Sequence, residues 1–237
     1  MISPRCLDLL YPRACAGCGG SLADDARQVC WDCRAALRTI GAPQCSLCGN
    51  PVEGRIDHAY ICYHCTQLVP AFDRARSALR FEGVAADLIH AFKYREALWL
   101  QDDLVDVLEA CVHVHFDDQP IDALACVPLH HVRLRERGYN QARLLAGGLA
   151  RRMGKPLWPR VLKRTRPTGT QTHLTARDRL TNVKGAFRVR RASRLQGTRI
   201  LLVDDVMTTG ATTSECARAL KQAGVAAVYV VTLARGS

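Results

Sequence analysis

Apolar residues recur with more than one period along this chain, and the strongest run is Ile200-Leu201-Leu202-Val203. Four apolar residues without polar alternation read as a strand buried on both faces, as in a parallel sheet. Asp204-Asp205-Val206-Met207-Thr208-Thr209-Gly210-Ala211-Thr212 follows; Ser214 to Ala223 then has helical spacing, with Gly224 where a helix C-cap belongs. The stretch is strand, short loop, helix, which puts its polar residues where open α/β sheets bind ligands. Upstream, Ser77 to Phe81 reads as a strand and Val84 to Lys93 as a helix with Leu88, Ile89 and Phe92 on one face. Leu98 to Val112 is a second helix, Ala123 to Val127 a strand stopped by Pro128, and Asn140 the cap of a helix running to about Met153. Leu157 to Leu162 is expected as a strand despite its proline, and Thr165 to Thr181 as a long mobile loop. Strands alternating with helices predict an α/β domain built on a mostly parallel sheet.

Before Pro70 the pattern is set by cysteine. Eight of the twelve cysteines form four C-x-x-C pairs: Cys15/Cys18, Cys30/Cys33, Cys45/Cys48 and Cys62/Cys65. No apolar run is long enough for a membrane span, and the first residues lack a secretory pattern, so a cytoplasmic protein is expected. In that compartment such pairs ligate metal rather than form disulfides. Two C-x-x-C knuckles complete one tetrahedral zinc site, so two structural zincs are expected, with four thiolates closing each shell against catalytic water. Sequential pairing of the knuckles is the default, and a cross-braced pairing fits the same spacings. Glycine after Cys18 and after Cys48 relaxes the turning backbone. Cys126 and Cys216 fall in apolar patterns, Cys6 and Cys111 lack partners at ligand spacing, and His58 and His64 are bystanders. Trp31, between Cys30 and Cys33, is expected to pack in the core. With Pro70-Ala71-Phe72-Asp73 as linker, the division is a zinc module over 1–70 and a sheet domain over 71–237.

Charge then narrows the ligand. The net charge is +11, yet Arg133 to Arg199 holds 19 Lys/Arg against Glu136 and Asp178, or +17, leaving −6 elsewhere. So concentrated a positive field suits a polyanion: nucleic acid, pyrophosphate, or both.

The acid–threonine stretch names a chemistry. Backbone N–H groups at a helix start, with a glycine for close approach, make a phosphate cradle, and the threonine hydroxyls add donors. It is not a Walker loop, because no Gly-Lys-Ser/Thr follows. Two carboxylates beside a phosphate would repel it unless they had another task, and a vicinal diol supplies one. The ligand so described is a ribose 5-phosphate.

The same stretch resembles the phosphoribosyl-pyrophosphate motif of type I phosphoribosyltransferases: four apolar residues, two acids, then T-T-G-x-T. Val127-Pro128-Leu129-His130 and Arg133-Leu134-Arg135-Glu136-Arg137-Gly138-Tyr139-Asn140-Gln141 resemble the V-P-L-H…R-L-R-E-R-G-F-N-Q signature of the ComF family of competence-associated proteins, with Tyr139 for the usual Phe. Arg164-Thr165-Arg166…Gln171…Arg177…Asn182-Val183-Lys184 is similar to that family's flexible loop. The resemblance implies a type I phosphoribosyltransferase-like sheet behind a double zinc ribbon. It puts the ribose hydroxyls on Asp204 and Asp205, the 5′-phosphate on Thr208 to Thr212 (Thr208, Thr209, Gly210, Ala211, Thr212), with Met207 among the ligand-binding residues, and pyrophosphate at Pro128, Leu129 and His130. Arg166, Gln171, Arg177 and Arg179 would lie in the loop. It further implies Mg²⁺ with the phosphoribosyl pyrophosphate, and a role in natural transformation, where members assist uptake of single-stranded DNA. Enzymes of this fold choose a nucleobase with a hood subdomain, and here the zinc ribbons occupy that part of the chain. Phosphoribosyl transfer, a sensor or scaffold without activity, and a DNA-handling module with Trp31, Tyr60, Tyr63 or Tyr139 as stacking surfaces are the competing functions.

Overall fold

A computed structural model describes residues 13–23, 26–167, 182–190 and 192–236. The chain begins with two knuckle hairpins of one design. In the first, Cys15 N–H donates to Gly20 O at 2.7 Å and Gly19 N–H to Cys15 O at 2.8 Å; in the second, Cys45 N–H donates to Asn50 O and Gly49 N–H to Cys45 O. Gly19 and Gly49 take φ of +73° and +67°, the left-handed turn that glycine enters without strain. Each hairpin is followed by a one-turn helix capped by a cysteine: α1 (Trp31–Ala35) after Cys30, and α2 (Tyr63–Gln67) after Cys62.

The sheet domain runs β1 (Arg74–Arg80), α3 (Gly83–Tyr94), α4 (Gln101–Phe116), β2 (Ala123–Cys126), α5 (His131–Arg137) and α6 (Gln141–Arg152). It continues with β3 (Leu162–Arg164), β4 (Phe187–Val189), β5 (Arg199–Met207), α7 (Ala211–Gln222) and β6 (Ala227–Arg235). Four strands form one sheet in the order β1-β6-β5-β2, with every pairing parallel; β3 and β4 pair antiparallel apart from it. Successive side chains on a strand point to opposite faces. Leu201 and Val203 accordingly join a core with the first ribbon, α3, α4 and α6, while Ile200 and Leu202 join a second core with the other ribbon, α7 and the β3–β4 pair. The sheet thus divides the apolar interior, and each ribbon packs into a different half.

Several expected elements change in extent. β5 does not stop at Val203 but runs through both acids to Met207, because β6 keeps pairing with it as far as Met207↔Arg235. The helix after it starts at Ala211, three residues earlier than its periodicity indicates. Leu157 to Leu162 is not a strand: Leu157 makes one bridge to Leu124, the chain turns at Pro159, and pairing resumes only at Leu162. The strand β6, the hairpin partner β4 and the helix α5 were not expected. Trp31 is 58% exposed rather than in the core, with the Arg34 guanidinium 5.5 Å over its ring. Most of the expected 165–181 loop lies outside the described residues. No helix among the described residues is long and apolar enough to cross a membrane.

The two adjacent glycines of α6 make a clean test of the packing on the first face. A methyl on Gly148 would stand 2.6 Å from Val105 Cγ2 of α4, whereas one on Gly147 meets only ordinary contacts at 3.8 Å. Gly148→Ala should therefore destabilise the protein by about 1–3 kcal/mol through overpacking. Gly147→Ala should raise stability by about 0.5–1 kcal/mol through helix propensity. Urea denaturation of the pair checks this, and equal shifts would contradict it.

Candidate functional site

The continuation of β5 places Asp204 and Asp205 inside the sheet's last pairs rather than on a free loop. Asp205 is 5% exposed. Each carboxylate turns back on the chain: Asp204 Oδ1 accepts from Asp205 N–H at 3.0 Å, and Asp205 Oδ1 from Val206 N–H at 2.7 Å. Burial, and then the neighbouring Asp205 charge, push the Asp204 carboxyl up to about 8, against the pull of Lys93 and Arg164. Asp204 is therefore mainly protonated at neutral pH when no ligand cation is present.

Two cations that the sequence pattern did not single out complete this centre. Lys93, at the end of α3, places Nζ 2.9 Å from Asp205 Oδ2, an ion pair whose geometry leaves that oxygen without an aligned hydrogen bond. Arg164, on β3, acts on Asp204 from a half-buried position, and its Nε has no hydrogen-bond partner among the described residues. Nothing local marks Lys93, which is simply the basic last turn of an amphipathic helix; Arg164 lay at the edge of the ComF-like loop segment.

The residues expected to cradle a phosphate span the end of β5 and the start of α7. Gly210 N-caps α7 at φ +77° with no side chain to satisfy the first-turn N–H groups, and Thr209 Oγ1 accepts from Ala211 N–H at 3.4 Å. Thr213 Oγ1 and Ser214 N–H both donate to Gly210 O, which fixes the turn. Met207 is buried in the core, and its Sδ lies under the loop, accepting from Thr213 Oγ1 at 3.6 Å. Pro128, Leu129 and His130 follow β2; His130 is buried and caps α5 by accepting from Val132 N–H, and Arg164 and His131 hold its proton affinity down after burial does. Asn140 ties the same segment to β2 by donating to Val127 O at 3.0 Å while capping α6. Arg166 is exposed and donates to Lys184 O; Gln171, Arg177 and Arg179 lie outside the described residues.

The cysteines gather in sequence, not cross-braced. Cys15, Cys18, Cys30 and Cys33 form one cluster and Cys45, Cys48, Cys62 and Cys65 the other, all sulfurs of each within 4.8 Å of one another. Zinc bonded to four sulfurs at about 2.3 Å would set them about 3.8 Å apart. Cys18–Cys30 and Cys48–Cys62 measure 3.8 and 3.7 Å, so the donor sets fit zinc. Hydrogen bonds pull individual thiols down, Cys15 to about 6 against its burial and Cys48 to about 4, while burial pushes Cys33 up and contact with Cys48 pushes Cys65 up. Four touching thiols ionise together only around a cation. Cys111, Cys126 and Cys216 are buried away from both clusters.

The second cluster is bound into the sheet. Arg235, last residue of β6, donates to Cys48 O at 2.8 Å, Cys48 Sγ at 3.5 Å and Asn50 Oδ1 at 2.9 Å. Arg76 of β1 donates to Ser46 O at 3.2 Å. From the same ribbon, the linker packs Phe72 against Gly210, and Ala71 N–H donates to Ser214 Oγ at 3.0 Å. The first cluster instead meets α3 and α4, through Gly17 near Val84, the Arg34–Asp103 pair and Arg27–Asp106 at 3.1 Å.

A phosphoribosyl transferase domain model matches residues 140–237, taking in the acid pair and the glycine cap, and a double zinc ribbon domain model matches residues 6–66. The class is thereby defined: a phosphoribosyltransferase-fold sheet preceded by a double zinc ribbon. Relatives narrow it. Competence protein F of Haemophilus influenzae is 32% identical over 226 residues, covering 93% of this chain and 96% of that protein. DNA utilization protein YhgH of Escherichia coli strain K12 is 34% identical over 96% of this chain and 99% of that one, and competence protein ComFC of Bacillus subtilis strain 168 is 28% identical over 84% and 80%. The chain belongs to the competence protein F, or ComF, family.

Fully reduced protein should carry two zinc ions by elemental analysis; fewer than one would contradict the cluster geometry. Cys15→Ser should open the first knuckle and leave amide protection across 208–213 unchanged. Cys45→Ser should lower protection there too, because the second ribbon, Arg235 and Phe72 are one packed unit and metal binding is folding. Hydrogen exchange by mass spectrometry separates the two, and equal effects would show the asymmetry to be wrong.

Proposed function

We propose that this protein binds phosphoribosyl pyrophosphate with Mg²⁺ at the end of β5, and that it serves the handling of incoming single-stranded DNA in natural transformation. The observation supporting the first part is the pairing of buried Asp205 and half-buried Asp204 with a glycine-opened helix start, all within the nine residues from Asp204 to Thr212. In this reading Asp204 and Asp205 accept the ribose hydroxyls, and the backbone N–H groups at the start of α7 hold the 5′-phosphate with Thr208, Thr209 and Thr212. Pro128 to His130 line the pyrophosphate side. Asp205 Oδ2, which meets a lysine at 2.9 Å without an aligned hydrogen bond, suits an oxygen held for cations. Mg²⁺, when bound with the ligand, would neutralise pyrophosphate oxygens and lower the barrier to their departure. Lys93 and Arg164 would keep the ligand's charge compensated, and Arg166, Gln171, Arg177 and Arg179 would supply further hydrogen-bond donors to its phosphates. The second part rests on the family: relatives are named for competence and for DNA utilization.

A non-catalytic sensor is the second reading. It is favoured by the zinc ribbon packing directly beside the phosphate loop, where an enzyme of this fold would carry a base-selecting hood.

Asp204→Asn combined with Asp205→Asn should weaken phosphoribosyl pyrophosphate binding at least tenfold, since each lost charged hydrogen bond costs about 1.5–3 kcal/mol. Calorimetry in Mg²⁺ measures it, and an unchanged affinity would place the ligand elsewhere. In the same preparation, labelled phosphoribosyl pyrophosphate with a nucleobase panel yields a labelled nucleotide if transfer occurs and none if the protein is a sensor.

A further inference from the structure

Away from the acid pair, on the outer side of β2, the chain builds a second cavity. Leu124 N–H donates to Pro156 O at 2.9 Å and Trp158 N–H to Leu124 O at 2.8 Å, so the edge strand holds Trp158 in place before the turn at Pro159. The chain then returns, and Arg190 N–H donates to Val161 O at 2.8 Å, which closes β4 against the turn. Between them lies a cavity of about 380 Å³ lined by Trp158, Arg160, Val161, Arg190, Arg194 and Leu195, among others. Leu195 and Val161 are buried and form its apolar floor.

Its charge is one-sided. Arg160, Arg190 and Arg194 are exposed, no carboxylate lines the cavity, and none of the three is in an ion pair among the described residues. Other arginines of the basic segment are spent internally: Arg152 pairs with Asp106 and Glu109, and Arg199 with Asp122. Three arginines without an ion pair among the described residues share this cavity with an indole, a lining that suits an anion with a flat apolar face.

We propose that this cavity is a nucleotide-binding site for single-stranded nucleic acid, with Trp158 stacking a base and Arg160, Arg190 and Arg194 holding the flanking phosphates. It rests on the reading that the protein handles single-stranded DNA and gives that function a place distinct from the phosphoribosyl pyrophosphate site. The space suits one unstacked base with its phosphate, and no base-edge code is needed, so binding is sequence-tolerant. A duplex, whose bases are paired and stacked, cannot present a face to the indole.

The test is fluorescence anisotropy of a labelled oligothymidylate against wild-type protein and three variants, with thymidine monophosphate as competitor. The combined Arg160→Ala, Arg190→Ala and Arg194→Ala variant should bind the oligonucleotide at least tenfold more weakly and with a shallower salt dependence. Trp158→Ala should weaken it by about fivefold or more, while Trp158→Phe keeps a stacking face and retains most of the affinity. Competition by the monophosphate only at far higher concentration identifies the polymer as ligand; equal potency would overturn that and make the site one for free nucleotides. An arginine variant that binds like wild type, or Trp158→Phe as weak as Trp158→Ala, overturns the placement. Wild-type protein without single-strand affinity would instead sink the DNA-handling reading itself, and phosphoribosyl pyrophosphate affinity should be unchanged in every variant.

Discussion

Two carboxylates in succession at the buried end of a parallel strand are the constraint around which this molecule is arranged. Asp205 is buried and Asp204 half-buried, and burial and then repulsion from Asp205 raise the proton affinity of Asp204. Lys93 from α3 and Arg164 from β3 answer that charge from different parts of the chain. The pair therefore costs stability, and in the proposed function a bound ligand offsets that cost. A diol and a divalent cation are the partners that would relieve it.

The zinc ribbons share a local design and differ in what they hold. The first packs with α3 and α4 on one face of the sheet. The second shares a core with Met207 and Ala211, on either side of the β5–α7 loop, and is clasped by Arg235 at the end of β6. A tetrathiolate zinc carries net negative charge, and the two guanidiniums of Arg76 and Arg235 are buried beside it with few other compensating groups. In this account the second ribbon does the work of a wall for the ligand site, and the first is a brace for the helices.

Much of this was legible in the residues. Four C-x-x-C pairs specify knuckles because the ligand spacing is nearly the structure itself, and the unbroken run at 200–203 reads as a central strand because only a doubly covered strand tolerates it. The helix start at Gly210 was legible because positive φ at that position has few residue solutions. What escaped was set by tertiary pairing. β5 extends past its apolar run because β6 continues beside it, and Pro159 cuts a strand that propensity alone would have allowed. Lys93 reaches Asp205 from more than a hundred residues away, and no local pattern encodes such a meeting. Trp31 misled because a residue between two ligands need not face the metal; the knuckle turns its ring outward, under Arg34. The basic segment was legible as charge but not as surface, since Arg152 and Arg199 are consumed by ion pairs.

The central claim is that the acid pair is the element that answers the ligand. A carboxyl held at about 8 is mostly protonated at pH 7 and must give up its proton to accept a diol or a cation. Calorimetric titration of phosphoribosyl pyrophosphate and Mg²⁺ at pH 7, repeated in buffers of different ionisation enthalpy, counts protons exchanged on binding. The account predicts release of close to one proton per ligand, falling towards zero as the pH is raised above 8. Binding with no proton release at pH 7 would contradict it.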